Sequence, residues 1–136
     1  MGFKNVRRGV LVGRFQPFHF GHLSVLKYAL ERVDEVILVI GSPQLSHSID
    51  NPFTAGERLF MLKKALHEAE VKTERYYIVH APDVHNNAIW VAFLVSLCPP
   101  FHIVYSNNPL VKRLFCEAGF QVEETPLFNR EKFSAT

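Results

Sequence analysis

Two cysteines in 136 residues, Cys98 and Cys116, are isolated and lack metal-ligand spacing. Their scarcity fits a reducing, intracellular setting, and a cytoplasmic protein is expected. No apolar run approaches the roughly 20 residues that a membrane span requires. The opening MGFKNVRRG lacks the apolar stretch of a secretory signal. Charge of either sign is nearly balanced, at a net +2 without a Lys/Arg cluster. Such a surface suits an anionic small ligand and carries no footprint for nucleic acid or membrane. The chain has no G-x-x-x-x-G-K-[ST] and no G-x-G-x-x-G, so neither common phosphate loop is present. It has no serine in a G-x-S-x-G elbow, which leaves a Ser-His-Asp hydrolase without its nucleophile. His47, His67, His80, His85 and His102 are scattered, and no cysteine or carboxylate sits at ligand spacing from His19 and His22, so no protein metal site is expected. Repeats, low-complexity tracts and linkers are also absent.

What remains, 48% hydrophobic and 21% charged residues, describes one globular domain over residues 1–136. A chain of this length buries roughly two-thirds of its unfolded surface. The most informative stretch is Gly9 to His22, GVLVGRFQPFHFGH. Val10, Leu11 and Val12 form the kind of apolar run found in a buried parallel strand. Gly13 ends it, and Pro17 has no N–H for a sheet ladder. Leu23, Leu26 and Leu30 then recur at helical spacing. The segment reads strand, tight turn, helix, with Arg14, His19 and His22 around the helix start. Free N–H groups and the positive end of the helix dipole favour an anion there. His19 and His22, three apart, share a side once the first turn forms. Gly21 between them lets a ligand approach the backbone.

The rest of the chain repeats the alternation. Glu35 to Ile40 is a second apolar strand, followed by a polar loop over Pro43 to Phe53 that carries Ser46, His47 and Ser48. Loops of that length in a small domain are often functional. Thr54 opens a helix through a capping box with Glu57. Ala55, Leu59, Leu62, Leu66 and Ala69 make its apolar stripe, and Arg58 lies in its first turn as either a solvated surface residue or a phosphate contact. Arg75 to His80 is the third strand, closed by Ala81-Pro82-Asp83. Ile89 to Leu97 is apolar on nearly every side, which predicts a largely buried helix. Trp90 in its first turn reads equally as core or as ligand contact. Phe101 to Tyr105 is the fourth strand, and Asn108 and Pro109 start a helix as N-cap and N1. Leu110, Leu114 and Ala118 are its expected inner stripe, with Gly119 as stop. Phe120 to Glu124 alternates as an edge strand does. Five strands alternating with four helices predict an α/β fold, a doubly wound five-stranded parallel sheet. Ligands on such sheets bind beyond the carboxyl ends of the strands. Segments 13–22, 41–54, 81–90 and 105–109 all follow strands and therefore converge on one edge.

The pattern Gly13-x-Phe15-x-Pro17-x-His19-x-Gly21-His22 resembles the first signature of the HxGH nucleotidyltransferases. The string GRFQPFHFGH resembles the archaeal-type nicotinamide-nucleotide adenylyltransferases in particular. GSPQLSHSIDNPFTAGER, Ser106-Asn107-Asn108-Pro109-Leu110-Val111 and Pro126-Leu127-Phe128-Asn129-Arg130 extend the likeness over essentially the whole chain. The resemblance implies a Rossmann-like nucleotidyltransferase fold. It also implies a reaction in which the 5′-phosphate of nicotinamide mononucleotide (NMN) attacks the α-phosphorus of ATP, giving NAD and pyrophosphate. His19, His22 and Arg14 are then the catalytic residues. ATP falls to Gly13, Arg14, Phe15, Gln16, Pro17, His19, Gly21 and His22, with Tyr105, Ser106, Asn107, Pro109, Arg130, Ser134 and Thr136. NMN or NAD falls to Gly41, Ser42, Ser46, His47, Arg58, Asp83, Asn87 and Trp90, with Asn87 and Trp90 against the nicotinamide. Mg2+ would be held mainly by the ATP phosphates, and a homo-oligomer is implied.

One departure matters. The family's second signature, S-x-T-x-x-R, begins at Ser134-Ala135-Thr136, where the given chain stops short of the arginine and of a C-terminal helical part. Fold and substrate pocket are expected to survive that loss better than turnover. Alternatives from the same class are transfer to a flavin, pantetheine or sugar phosphate, against which Asn87 and Trp90 argue. From a different class, a catalytically weak nucleotide-binding module remains. Aminoacyl-tRNA synthetases share an H-x-G-H element, but this chain is too short for one and lacks K-M-S-K-S.

Overall fold

The computed structural model describes residues 5–15, 18–41, 46–49 and 51–126. Its elements alternate: β1 (Arg8–Gly13), α1 (Phe20–Leu30), β2 (Glu35–Gly41), α2 (Ala55–Glu68), a 3-10 turn (Thr73–Arg75), β3 (Tyr76–Ala81), α3 (Asn87–Leu97), β4 (Ile103–Tyr105), α4 (Pro109–Glu117) and β5 (Gln121–Glu123). The sheet order is β3-β2-β1-β4-β5, and every pairing is parallel. This is the expected doubly wound α/β sheet, with β5 at an edge as its alternation indicated.

The central strands are apolar throughout because both of their faces are covered. Register divides them between two cores. Val36, Leu38 and Ile40 of β2 pack under α1 and α2 with Leu26, Ala29, Leu62 and Leu66. Ile37 and Val39 point the other way, toward α3 and α4, with Val10, Val91, Leu94, Val104 and Phe115. Emptying one of these positions, as in Leu26→Ala, costs about 2–5 kcal/mol in a core of this kind. The chain runs outward from β1 to β3, then crosses back to β4 beside β1. The strand order therefore reverses between β1 and β4, where such sheets open a crevice at their carboxyl ends.

Helix boundaries follow their caps. Thr54 Oγ1 accepts from Glu57 N at 3.0 Å, while Thr54 N donates to Glu57 Oε1 at 2.9 Å. Asn108 Oδ1 accepts from Leu110 N and Val111 N at 2.9 and 3.1 Å, with Pro109 at N1. After α4, Gly119 adopts φ +90°; its N–H donates to Cys116 O, and Phe120 N donates to Phe115 O. The Phe115 and Phe120 rings meet across this stop at 5.7 Å, completing a Schellman motif.

Two expectations about burial fail. Only Val91 and Leu94 of α3 are buried, whereas Ile89 is 51% exposed and Val95 and Leu97 also face outward. The helix lies on the sheet by one stripe, and the absence of charged residues elsewhere on it does not add a second covering layer. On α4 the buried residue is Phe115, with Val111 and Leu114 packed against the same core, while Leu110 and Ala118 are exposed. The larger aromatic sets the inner face. No helix among the described residues is long and apolar enough to cross a membrane.

Candidate functional site

The turn between β1 and α1 is built from the inside. Gly13 has no room for a side chain, because a Cβ there would lie 2.9 Å from the Phe15 ring. Phe15 itself adopts φ +51°, in the left-handed region that a bulky residue rarely enters. Its ring is turned inward, 4% exposed, edge-on to Phe18 at 5.5 Å and to His22 at 4.9 Å. Phe18 stacks on His22 from another side at 5.4 Å.

His19 and His22 open α1 as a reciprocal capping box. The His19 Nδ1 accepts from Gly21 N at 3.1 Å, and the His22 Nδ1 accepts from His19 N at 3.1 Å. The rings lie 3.8 Å apart and nearly parallel. An Nδ1 that accepts carries no proton, so each neutral ring keeps its hydrogen on Nε2. Burial, reinforced by the neighbouring His19, pulls His22 down to about 3 from its ordinary value near 6.5. Burial lowers His19 as well. The pair is therefore two neutral N–H donors at a helix N-terminus.

Arg14 leads from this turn into an open cavity of about 340 Å³, a size within the range of small-ligand sites. Its other walls are Asp83, Val84 and His85 after β3, Asn87 and Trp90 on α3, and Asn108, Leu110, Val111 and Leu114 at the head of α4. Asn86 caps α3 through a bond from Ala88 N at 3.0 Å. Trp90 is half-buried and also packs edge-on to Phe115 at 5.5 Å, so it is a cavity wall with a foot in the core. Arg14, Asp83, Asn87 and Trp90 thus meet as the topology required. Sequence reasoning did not single out Val84, His85, Asn108, Leu110, Val111 and Leu114 as wall residues. Their nearness to Asp83, Asn87 and Pro109 in the chain was the available signal. A second, more apolar cavity of about 470 Å³ runs between α1 and α2 past Phe18, His19, Leu23 and Ala65, and shares only His19 with the proposed site residues.

Several of the expected site residues make contacts within the protein. Arg58 is neither a solvated residue nor, in this structure, turned toward an open anion site: it is 1% exposed and donates to Arg14 O at 3.0 Å and Gly41 O at 2.8 Å. Burial holds its guanidinium below its usual pKa, with Arg14 adding repulsion and Asp83 opposing it. The Phe15 and Tyr105 side chains point into the core, Tyr105 edge-on to Tyr28. Asn107 braces the chain after β5, exchanging bonds with Thr125 N, O and Oγ1. Ser106 Oγ accepts from Asn108 N, fixing the turn into Pro109. Ser46 and His47 contact each other at 2.7 Å and do not line the cavity. Gln16, Pro17, Ser42, Arg130, Ser134 and Thr136 lie outside the described residues. Among the described residues no group of three or more His, Cys, Asp or Glu side chains is placed to hold a metal ion.

Comparison with known proteins identifies the family. The cytidylyltransferase-like family model matches residues 10–136. The nicotinamide-nucleotide adenylyltransferase of Saccharolobus solfataricus is 50% identical over 95% of this chain and 75% of its own length. That of Archaeoglobus fulgidus is 49% identical over 95% and 76%. Among solved structures, a bifunctional NMN adenylyltransferase/ADP ribose pyrophosphatase from Francisella tularensis superposes with TM-score 0.80 at 24% identity, over 96% of this chain and 40% of that one. The same bifunctional protein complexed with AMP and an Mn ion superposes with TM-score 0.75 at 25% identity, over 96% of this chain and 39% of that one. Shared sequence over nearly the whole chain and a shared doubly wound sheet lead to one assignment: the chain belongs to the cytidylyltransferase-like family, among the archaeal nicotinamide-nucleotide adenylyltransferases.

Proposed function

We propose that this chain transfers the adenylyl group of ATP to NMN, with NAD and pyrophosphate as products. The observation that carries the reading is the reciprocal histidine cap, two neutral N–H donors at the head of α1, on the same β1–α1 connection as Arg14, which lines a ligand-sized cavity. In this transfer an oxygen of the NMN 5′-phosphate forms a bond to the α-phosphorus. The bond from that phosphorus to the bridging oxygen breaks, and pyrophosphate leaves with the electron pair. No covalent protein intermediate is needed, so alignment and stabilisation of developing charge are the work of the side chains. His19 and His22 donate from Nε2 to phosphate oxygens, and Arg14 meets the polyphosphate as a fixed cation. Asn87 hydrogen-bonds the nicotinamide amide, Trp90 offers its ring face to the nicotinamide, and Asp83 bounds the same cavity. Gly13, Gly21, Ser106, Asn107 and Pro109 shape the two turns around ATP.

Among the described residues, Asp83 is the only carboxylate on the cavity wall. That donor set fits a divalent cation arriving with ATP, Mg2+ in this reading, held by phosphate oxygens rather than by a protein cage. Such an ion supplies charge neutralisation on the phosphates. Self-association into a homo-oligomer belongs to the same reading and is supported by the outward-facing Ile89, Val95 and Leu97 of α3; light scattering on the purified chain tests it.

NAD formation assayed with ATP and each acceptor in turn tests the function. NMN is expected to support turnover and flavin mononucleotide, phosphopantetheine and a sugar phosphate are not. Preference for any of the latter three would overturn the assignment of the acceptor.

A further inference from the structure

Arg58 is an unusual residue to bury. It sits near the start of α2, where a cation opposes the helix dipole, yet its side chain is 1% exposed. Desolvating a guanidinium is costly unless its donors are well matched. Here one nitrogen, Nη1, reaches two backbone carbonyls at the carboxyl ends of neighbouring strands: Gly41 O at 2.8 Å, ending β2, and Arg14 O at 3.0 Å, just past β1. Nε lies 3.4 Å from Thr54 O, at the cap of its own helix. The guanidinium therefore joins three segments of the ligand-facing edge.

The Arg14 carbonyl has a particular place. It belongs to the peptide that leads into Phe15, whose φ of +51° is a strained conformation for a residue of this type. That backbone twist accompanies two opposite placements. Arg14 reaches the cavity wall, while the Phe15 ring turns inward against Gly13 and His22. A peptide in such a strained state persists only where its surroundings hold it. The described holders are the Phe15 ring packing on one side and the Arg58 bond on the other.

We infer that Arg58 is a positioning residue: by holding the Arg14 carbonyl against that of Gly41 it fixes the strained Arg14–Phe15 turn, which places Arg14 at the cavity and seats His22 against Phe15. It acts through the backbone and touches no substrate. The inference rests on the adenylyl-transfer reading for its effect on rate, though not for its effect on His22.

Arg58→Lys keeps a cation but loses the planar fork that joins Thr54 O, through Nε, to the two strand carbonyls reached by Nη1. Arg58→Met keeps the stem and loses both bonds. Two measurements on each, with thermal melts to confirm folding, decide the matter. First, kcat for NAD formation is expected to fall about tenfold or more in Arg58→Lys and further in Arg58→Met, since small misplacements of reacting groups are costly. KM for NMN and ATP should stay within a factor of about 3, the split expected when transition-state alignment alone is lost. A raised KM with unchanged kcat would instead make Arg58 a direct substrate contact and overturn the inference. Second, the His22 ring is followed by NMR as pH is lowered. Its titration midpoint, about 3 in the native chain, should move up toward 6.5 as Phe15 loosens. If folded Arg58→Lys and Arg58→Met leave it in place, the inference fails. A moved midpoint in a protein that makes no NAD would support the inference and reject the functional reading. Should the Arg58 variants not fold, Phe15→Leu perturbs the same turn from its other side and should produce the same kcat loss and the same upward shift of His22; an unchanged His22 there overturns the inference.

Discussion

At the β1–α1 turn the groups proposed to meet phosphate are packed from behind, while at the head of α3 the groups proposed to meet NMN stand on the wall of an open cavity. His22 has Phe15, Phe18 and His19 against its ring, and Gly13 leaves space for no more. Asn87 is exposed, and half-buried Trp90 rests on the Phe115 ring beneath it. The first region is pre-organised, so it supplies donors that need no rearrangement as charge develops. The second is open and can adapt its walls to a ligand. Chemistry and recognition are thus divided along one sheet edge, with Arg14 belonging to both.

The largest effect should come from the packed side. His19→Ala or His22→Ala is expected to lower kcat about 10²-fold or more, the scale of one preorganised donor. Each also removes half of the reciprocal cap, so melts of the same variants should show a loss of about 1 kcal/mol. An unchanged kcat with a raised KM would break the division of roles. Gly13→Ala should then cost about 1–3 kcal/mol of stability, because the Phe15 ring it would strike has nowhere to go. On the open side, Trp90→Ala should weaken NMN by roughly 1–3 kcal/mol, if stacking on bases is a fair guide. ATP affinity should barely change, and calorimetric titration of each ligand checks the difference. Asn108→Ala should be milder, about 1 kcal/mol from the loss of the α4 cap.

Protons perturb the packed side gently and by degrees. His22 is held neutral at about 3 in the fold and titrates near 6.5 when exposed. Between those values the unfolded chain binds a proton that the folded chain refuses, so stability rises with pH there. The contribution is fully present above about pH 6.5 and is lost as pH falls toward 3. Denaturant melts from pH 7 to pH 4 should show that decline, and His22→Asn should flatten part of it.

Local chemistry made much of the molecule legible in advance. The Thr54–Glu57 box, the Asn108-Pro109 start and the Gly119 stop each depend on neighbours a few residues away, and all three are present. The convergence of Arg14, Asp83, Asn87 and Trp90 followed from strand order alone. Other features depend on distant partners and carry no local signal. Nothing in the sequence marks Phe15 as left-handed, because its conformation is held by Gly13, His22 and the Arg58 bond to Arg14. In the sequence Arg58 reads as a solvated arginine or a phosphate contact, and its burial follows only from Gly41 and Arg14 coming within reach across 17 and 44 positions. The pairing of Asn107 with Thr125 is hidden for the same reason. The uncharged α3 predicted burial, but composition cannot say how many layers cover a helix.

The division between a packed chemical side and an open recognition side is tested most directly through Trp90, the only tryptophan in the chain. Its fluorescence is titrated with NMN in the native protein and in His22→Ala, alongside NAD formation by both. The account predicts quenching with nearly the same Kd in the two proteins, while kcat differs by about 10²-fold. A Kd that weakens in step with kcat would show that the histidine cap and the NMN cavity act as one unit, and would contradict it.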